Sequence, residues 1–327
     1  MQENRMLRIK DLRVVFPVGG KQIHAVNGVS VDLAPGEALG VIGESGCGKS
    51  VTFSSVLKLV KSPPAIISGD IELNGRSIMS LSEKQMEKIR GKEVSMIFQE
   101  PMRCLNPVEK IGIQIAESLR LHEGLTMKQA LTRAVELLKM VEMPDAEQRI
   151  GCYPHQLSGG LRQRAMIAIA LACSPKLLIA DEPTTALDVT IQSQIIRLIQ
   201  KLREETGMGI VFISHDMGVV ASLVDRIAVF YAGQIVEQGN TRDIFRNPLH
   251  PYTAGLIQCI PRLDTESRRL YTIPGSTPNL ASVPEGCSFA PRCPYATDLC
   301  RTVRPEQTDF PAGRSCTCHY AGTLKMN

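Results

Sequence analysis

The feature that most constrains this chain is the stretch GESGCGKS at 43–50, set between the apolar run ALGVI at 38–42 and the helix-like stretch SVTFSSVLKLV at 50–60. It satisfies G-x-x-x-x-G-K-[ST], a loop that cradles phosphate when a strand precedes it and a helix follows. The residue types follow from the chemistry. Gly43, Gly46 and Gly48 let backbone N–H groups curl round phosphate oxygens, and the helix N-terminus adds a positive dipole. Lys49 is placed to reach the β- and γ-phosphates, Ser50 to coordinate Mg2+, and Ser45, Cys47 and Val51 complete the nucleotide-binding set. Cys47 is a thiol at a helix N-terminus, where thiol pKa values fall, so sensitivity to thiol reagents is one reading and a tolerated small residue is the other.

The rest of the pattern agrees with an α/β domain. Residues 7–16 and 25–33 alternate apolar with polar positions and read as strands joined by a Gly-containing turn. The apolar strands LLIA at 177–180 and GIVFIS at 209–214 are separated by helix-period segments such as 189–204, which indicates a parallel sheet covered on both faces. Between Gln99 and Tyr153 only helical periodicity is found, as in QALTRAVELLKMVEM, and this reads as a helical insertion. Beyond about Asn247 the chain becomes rich in Pro and Cys. With 327 residues, one large domain with an appendage is expected.

Composition narrows the function classes. Lys and Arg total 37 against 33 Asp and Glu, a net charge of only +4, which gives no reason to expect nucleic acid as the main ligand. Aromatic residues make up 4% with no Trp, which argues against a stacking platform for single strands. The N-terminus MQENRMLRIKDLRVVF has charges where an export signal needs an apolar core, and the longest apolar run, AMIAIALAC at 165–173, is short for a membrane span. A cytosolic placement is expected. There thiols stay reduced, so clustered cysteines read as metal ligands rather than disulfides.

Further chemistry-bearing residues lie downstream. In LLIADEP, Asp181 ends an apolar strand where it can hold the Mg2+ shell, and Glu182 follows where a carboxylate can polarise an attacking water. In LSGGLRQR at 157–164, Ser158 can cap a helix beginning at Gly159, so that its hydroxyl and the following N–H groups, with Gly160, form a second anion site.

LSGGLRQR resembles the signature motif of the ATP-binding cassette (ABC) ATPases. Gln99 in IFQEP resembles that family's Q-loop, TTALD at 184–188 its D-loop with Asp188, and His215 in FISHD its switch histidine. The resemblance implies an α/β P-loop NTPase cassette: a RecA-like parallel sheet core with an antiparallel β subdomain and a helical subdomain. It implies ATP and Mg2+ as cofactors and a head-to-tail cassette dimer, in which the signature of one cassette closes on the nucleotide of the other. It makes Glu182 the general base and His215 the residue that fixes the γ-phosphate and attacking water. Gln99 would sense Mg2+ and report to the membrane partner. Phe16 occupies the place of the aromatic that stacks on adenine, although a Phe at a strand end also suits a core. Leu161 departs from the pattern, where the common form has Gln.

GESGCGKSVT, MIFQEPMRCLNP, YPHQLSGG, LLIADEPTTALDVTIQ, FYAGQIVEQG, NPLHPYTAGL and the tail GCSFAPRCPYATDLC…CTCHY resemble the dipeptide, oligopeptide and nickel importer ATPases, closest to their D-type subunit. The implied division is an ATPase domain at 1–247, with its helical subdomain at about 100–160, and a cysteine-bearing extension at 248–327. The implied partners are an F-type ATPase, two transmembrane permeases and, indirectly, a solute-binding protein, with the chain peripheral on the cytoplasmic face of the inner membrane. Import of nickel or another small solute, or a cassette ATPase without transport, are the alternatives.

The tail spacing Cys287-x5-Cys293-x6-Cys300-x17-Cys318 lacks the two tight C-x2-C knuckles of a zinc ribbon. Four thiolates here suit a [4Fe–4S] cluster, with Zn2+ as the alternative. Cys316 or Cys318 can be the fourth ligand, and matching CHY to the family's ending selects Cys318. His250 reads as structural before Pro, and Cys104, Cys152, Cys173 and Cys259 as packing residues.

Overall fold

The computed structural model describes residues 5–100, 104–185, 187–260 and 271–324. Positions 101–103, within the quoted MIFQEPMRCLNP, and Ala186, within TTALD, lie outside the described residues. Numbered along the chain, the strands are β1 Leu7–Val18, β2 Lys21–Leu33, β3 Ala38–Ile42, β4 Ile66–Leu73, β5 Arg76–Ser77, β6 Val94–Ile97, β7 Leu177–Asp181, β8 Gly209–Ser214, β9 Arg226–Tyr231, β10 Gln234–Asn240, β11 Thr308–Phe310 and β12 Arg314–Cys316. Two compact units divide the chain. One draws on residues 1–33, 38–79 and 212–327, the other on 34–37 and 80–211.

In the first unit, β1 and β2 form the hairpin that their alternation predicts, with register from Leu7↔Leu33 to Val18↔Lys21. Leu7, Ile9, Leu12 and Val14 are buried on one face of β1 while its other positions stay partly or fully exposed, the pattern of a half-covered antiparallel sheet. β4 pairs with the free edge of β1 and β5 with β4, giving the order β2-β1-β4-β5. β3 is different. All five of its residues are buried, and it pairs parallel with β9 from Leu39↔Arg226 to Ile42↔Val229. From β9 the same sheet continues through β10, β12 and β11, each pair antiparallel. The C-terminal segment therefore adds two strands to the sheet that contains β3, the strand leading into the loop at 43–50. The helix after that loop spans Lys49–Val56 and stops short of the sequence stretch. Lys58 takes a left-handed φ of 50°, and its ammonium donates to the Met79 carbonyl at 2.9 Å.

In the second unit, β6 and β7 pair parallel from Val94↔Leu177 to Ile97↔Ala180. The helices Ile111–Glu123, Met127–Met140, Gly159–Leu171 and Val189–Thr206 belong to it. Met127–Met140 starts at a Thr126 cap and buries Ala130, Ala134, Leu137 and Leu138, one stripe of an amphipathic helix. Val189–Thr206, expected over 189–204, buries Ile195, Leu198, Ile199 and Leu202 and ends at Gly207 with φ 67°. Among the described residues no helix is long and apolar enough to cross a membrane.

The tail is fastened to β10 by an ion pair. Glu237 is fully buried, and its carboxylate accepts from the Leu249 and His250 N–H groups at 2.9 and 3.0 Å and from the Arg314 guanidinium at 2.6 Å. Arg314 also donates to the Asn247 carbonyl.

Candidate active site

Gly43 and Gly48 of the 43–50 loop are required by close backbone approach. Gly48 has φ 99°, and a Cβ there would run into the Ala25 carbonyl; one on Gly43 would run into the Phe230 carbonyl. Lys49 is 4% exposed, and its ammonium donates to the carbonyls of Gly43 at 2.8 Å and Glu44 at 3.0 Å. The loop is thus tied back on itself by the side chain that the sequence assigns to phosphate. Ser45, Gly46 and Ser50 are exposed on it. Cys47 is 2% exposed, and burial raises its thiol pKa despite the lowering effect of Lys49 nearby. Of the two readings of Cys47, this favours the tolerated small residue over the reagent-sensitive thiol: desolvation outweighs the lowering effects beside it.

Elsewhere in this unit, Phe16 is half-buried on β1 opposite Ile23, near the tip of the hairpin. His215 follows the end of β8 and is exposed, and Asp216 beside it caps Met217–Ala221 by accepting from the Val219 N–H at 3.1 Å.

The second unit gathers the carboxylates. Asp181 ends β7 and is 6% exposed. Glu182 has a left-handed φ of 46°, an unfavourable conformation for a non-glycine residue and of the kind that collects at functional sites. Its Oε2 accepts from the Gln99 side-chain amide at 2.9 Å and from the Thr185 hydroxyl at 2.9 Å. Sequence reasoning paired neither of these donors with Glu182. The Thr185 contact has a local signal in a hydroxyl three residues after the carboxylate, but the Gln99 contact spans 83 positions.

Ser158 takes the N-cap position of Gly159–Leu171 with φ −66° and ψ 165°, yet its side chain makes no capping hydrogen bond. The expected hydroxyl cap is absent, so the first-turn N–H groups of this helix are not satisfied by Ser158. The two signature glycines have a packing reason as well: a Cβ on Gly160 would lie 2.8 Å from Ile191 Cγ2, and one on Gly159 3.4 Å from Leu187. Asp188 caps Val189–Thr206 by accepting from the Ile191 N–H at 2.9 Å, and Leu161 is half-buried.

In the C-terminal segment, Cys287, Cys293, Cys300 and Cys318 line one small cavity together with His250 and Tyr320. Cys293 is pushed up to about 11 by burial and by the neighbouring Cys287, Cys318 and Cys300 thiols, and Cys287 and Cys318 are raised by the same two causes. Cys316 does not line this cavity. It is buried on β12, with its thiol raised by burial and by Glu237. Among the described residues no three His, Cys, Asp or Glu form a group that could hold a metal ion. The His250 ring is held neutral, its pKa pushed down to about 3 by burial, with Nδ1 accepting from the Tyr252 N–H at 3.0 Å.

Comparison with known proteins places these features. Residues 26–185 match the family model for ABC transporters, and residues 236–300 match that for the C-terminal region of oligopeptide/dipeptide transporters. A putative peptide import ATP-binding protein of Brucella melitensis is 51% identical over 317 residues, covering 93% of this chain and 94% of the relative. The oligopeptide transport ATP-binding protein OppD of Escherichia coli is 46% identical, covering 97% and 94%. Among solved structures, the ATP-binding cassette MJ0796 bound to ADP and Pi in a post-hydrolysis dimer superposes with a TM-score of 0.66 at 29% identity, over 72% of this chain and 99% of that one. CbiO1 of Clostridium perfringens gives a TM-score of 0.63 at 27% identity, over 75% and 92%. The chain therefore has the ABC cassette fold and belongs to the family of ABC transporter ATP-binding subunits that carry the oligopeptide/dipeptide transporter C-terminal region.

Proposed function

We propose that this protein is the ATP-hydrolysing subunit of a peptide importer, acting at the cytoplasmic face of the cell membrane. The observation that carries the reading is the full-length likeness to peptide import subunits, C-terminal region included, at 46–51% identity. Residues 1–247 form the ATPase domain, with its helical subdomain at about 100–160, and 248–327 the extension. Lys49 and the N–H groups of 43–51 bind the ATP phosphates, Ser50, Gln99 and Asp181 hold Mg2+, and Phe16 stacks on adenine. Glu182 is the base that takes the proton of the attacking water, His215 contacts the γ-phosphate, and Ser158, Gly159, Gly160 and Asp188 act on the nucleotide of a partner cassette. That partner is an F-type ATPase, and both dock on two permeases fed by a solute-binding protein. A groove of about 510 Å3 lined by Lys110, Ile113, Leu131, Val135 and Ile150 offers an apolar seat with a basic rim for a permease helix. Deleting the gene is expected to abolish uptake of a labelled oligopeptide, with recovery by the wild-type gene and none by Lys49→Ala. Unchanged peptide uptake, with loss of nickel uptake instead, would replace the substrate.

The cysteine cavity fits a [4Fe–4S] cluster by its donor chemistry. Four thiols line one space whose lining includes no carboxylate, a donor set of the kind that a metal centre takes as thiolates. Cys287, Cys293, Cys300 and Cys318 would hold it, and the group would supply a covalent staple to a segment with little core of its own. Protein purified without oxygen is expected to be brown, with about four iron atoms per chain. One zinc per chain and no colour would identify the alternative.

A further inference from the structure

A carboxylate at the start of an anion-binding loop is an electrostatic anomaly. Glu44 follows Gly43 directly, where its charge opposes that of bound phosphate. The tail supplies what cancels it. Arg292, between Cys287 and Cys293, donates to both carboxylate oxygens of Glu44, Nη1 to Oε2 at 2.9 Å and Nη2 to Oε1 at 3.0 Å. This two-pronged geometry is open to Arg and not to Lys. The Arg292 side chain is 6% exposed and that of Glu44 29%, so the pair is shielded well beyond an ordinary surface ion pair.

Every part of the fork is committed. Nε donates to the Pro274 carbonyl at 2.8 Å, Nη1 also reaches the Tyr231 hydroxyl at 3.4 Å, and the guanidinium lies 5.8 Å from the Tyr231 ring centre. Phe289 wedges the segment in place, edge-on to Tyr231 at 5.2 Å and tilted on Tyr252 at 5.3 Å. The Tyr252 hydroxyl in turn accepts from the Glu44 backbone N–H at 3.1 Å. Both the side chain and the main chain of the loop's second residue are therefore held by residues beyond 247.

We propose that Arg292 is a positioning residue for the nucleotide loop: by neutralising and orienting Glu44 it makes tight ATP binding conditional on a docked cysteine segment. The proposal rests on the assignment of 43–51 to ATP. Arg292 touches no nucleotide; it acts through Glu44. Removing Arg292 alone leaves an uncompensated carboxylate on the residue next to Gly43, whereas removing both charges does not. Rescue of ATP affinity among variants whose urea midpoints match the wild type is a result that a purely structural role for Arg292 does not give.

The test is titration of the full chain with a fluorescent ATP analogue. Arg292→Met is expected to weaken binding about tenfold, and adding Glu44→Gln to Arg292→Met to restore most of the loss. Wild-type affinity in Arg292→Met, or a double variant binding no better than Arg292→Met, overturns the proposal. If Arg292→Met does not fold, the same cycle is run with Arg292→Lys, which keeps the charge but loses the fork, and absence of any loss there overturns it equally. Lys49→Ala is the separate control. Undiminished binding in that variant removes the loop assignment itself, independently of how the Arg292 cycle turns out.

Discussion

Replacing Glu182 with Gln is expected to cut ATP turnover by about 10²–10⁴-fold, the usual contribution of a positioned general base, while the protein still binds ATP. The surroundings of Glu182 make this a clean substitution. Its Oε2 accepts from the Gln99 amide and the Thr185 hydroxyl, and the carbonyl oxygen of a glutamine can accept the same two bonds. The left-handed backbone at 182 disfavours Glu and Gln alike. What the amide cannot do is take a proton from water. The variant should therefore fold as the wild type does, retain ATP and hold the closed cassette dimer. Phosphate release and ATP retention on a sizing column are the measurements. Hydrolysis at the wild-type rate would take the base role away from Glu182. Thr185→Val is the companion variant: it leaves the carboxylate in place without the Thr185 hydroxyl as donor, so a smaller loss of rate is expected there.

The second large effect concerns stability. Arg314→Met is expected to lower unfolding stability by about 3–5 kcal/mol, because it strands the fully buried carboxylate of Glu237 without its cation. Two backbone N–H donors remain to that carboxylate, which is why the loss stays within this range rather than beyond it. Adding Glu237→Gln to Arg314→Met removes the stranded charge while keeping an oxygen for one of those N–H groups. The double variant is therefore expected to be more stable than Arg314→Met alone. Urea midpoints of the three proteins decide the matter. A double variant less stable than Arg314→Met would show that the charge of Glu237 is not what the arginine is there to compensate.

The sequence was legible where chemistry demands fixed local spacing. The loop at 43–50 declares its strand and helix because glycine positions and a buried apolar run occur within a few residues of one another. The parallel pairings of β3 and β7 follow from unalternating apolar runs, and the stripe on Met127–Met140 from its helical period, whereas β6, the partner of β7, was not read from the sequence. β4 escaped notice because IISGDIEL carries Gly69 where alternation would be read. Local rules and the folded surroundings differ in two places. The helix dipole predicts a lowered thiol pKa at Cys47, but burial acts in the opposite direction and prevails. The N-cap preference predicts a hydroxyl bond from Ser158 that is not made. The pairs Glu44 with Arg292 and Glu237 with Arg314 lie 248 and 77 positions apart. No spacing rule reaches that far, since only the folded sheet brings such residues together.

The route of the chain sets an order in time. Translation delivers the ATP loop early, but the arginine that answers Glu44 arrives 248 residues later, and the strand that covers β10 arrives later still. A nascent chain that has not yet exposed Arg314 carries Glu237 without its counter-charge and β10 with a bare edge that invites unwanted strand pairing. Contacts of such long sequence separation also form late in folding. A chain clipped before residue 292 thus keeps GESGCGKS and LSGGLRQR in its sequence but lacks the guanidinium that pairs with Glu44.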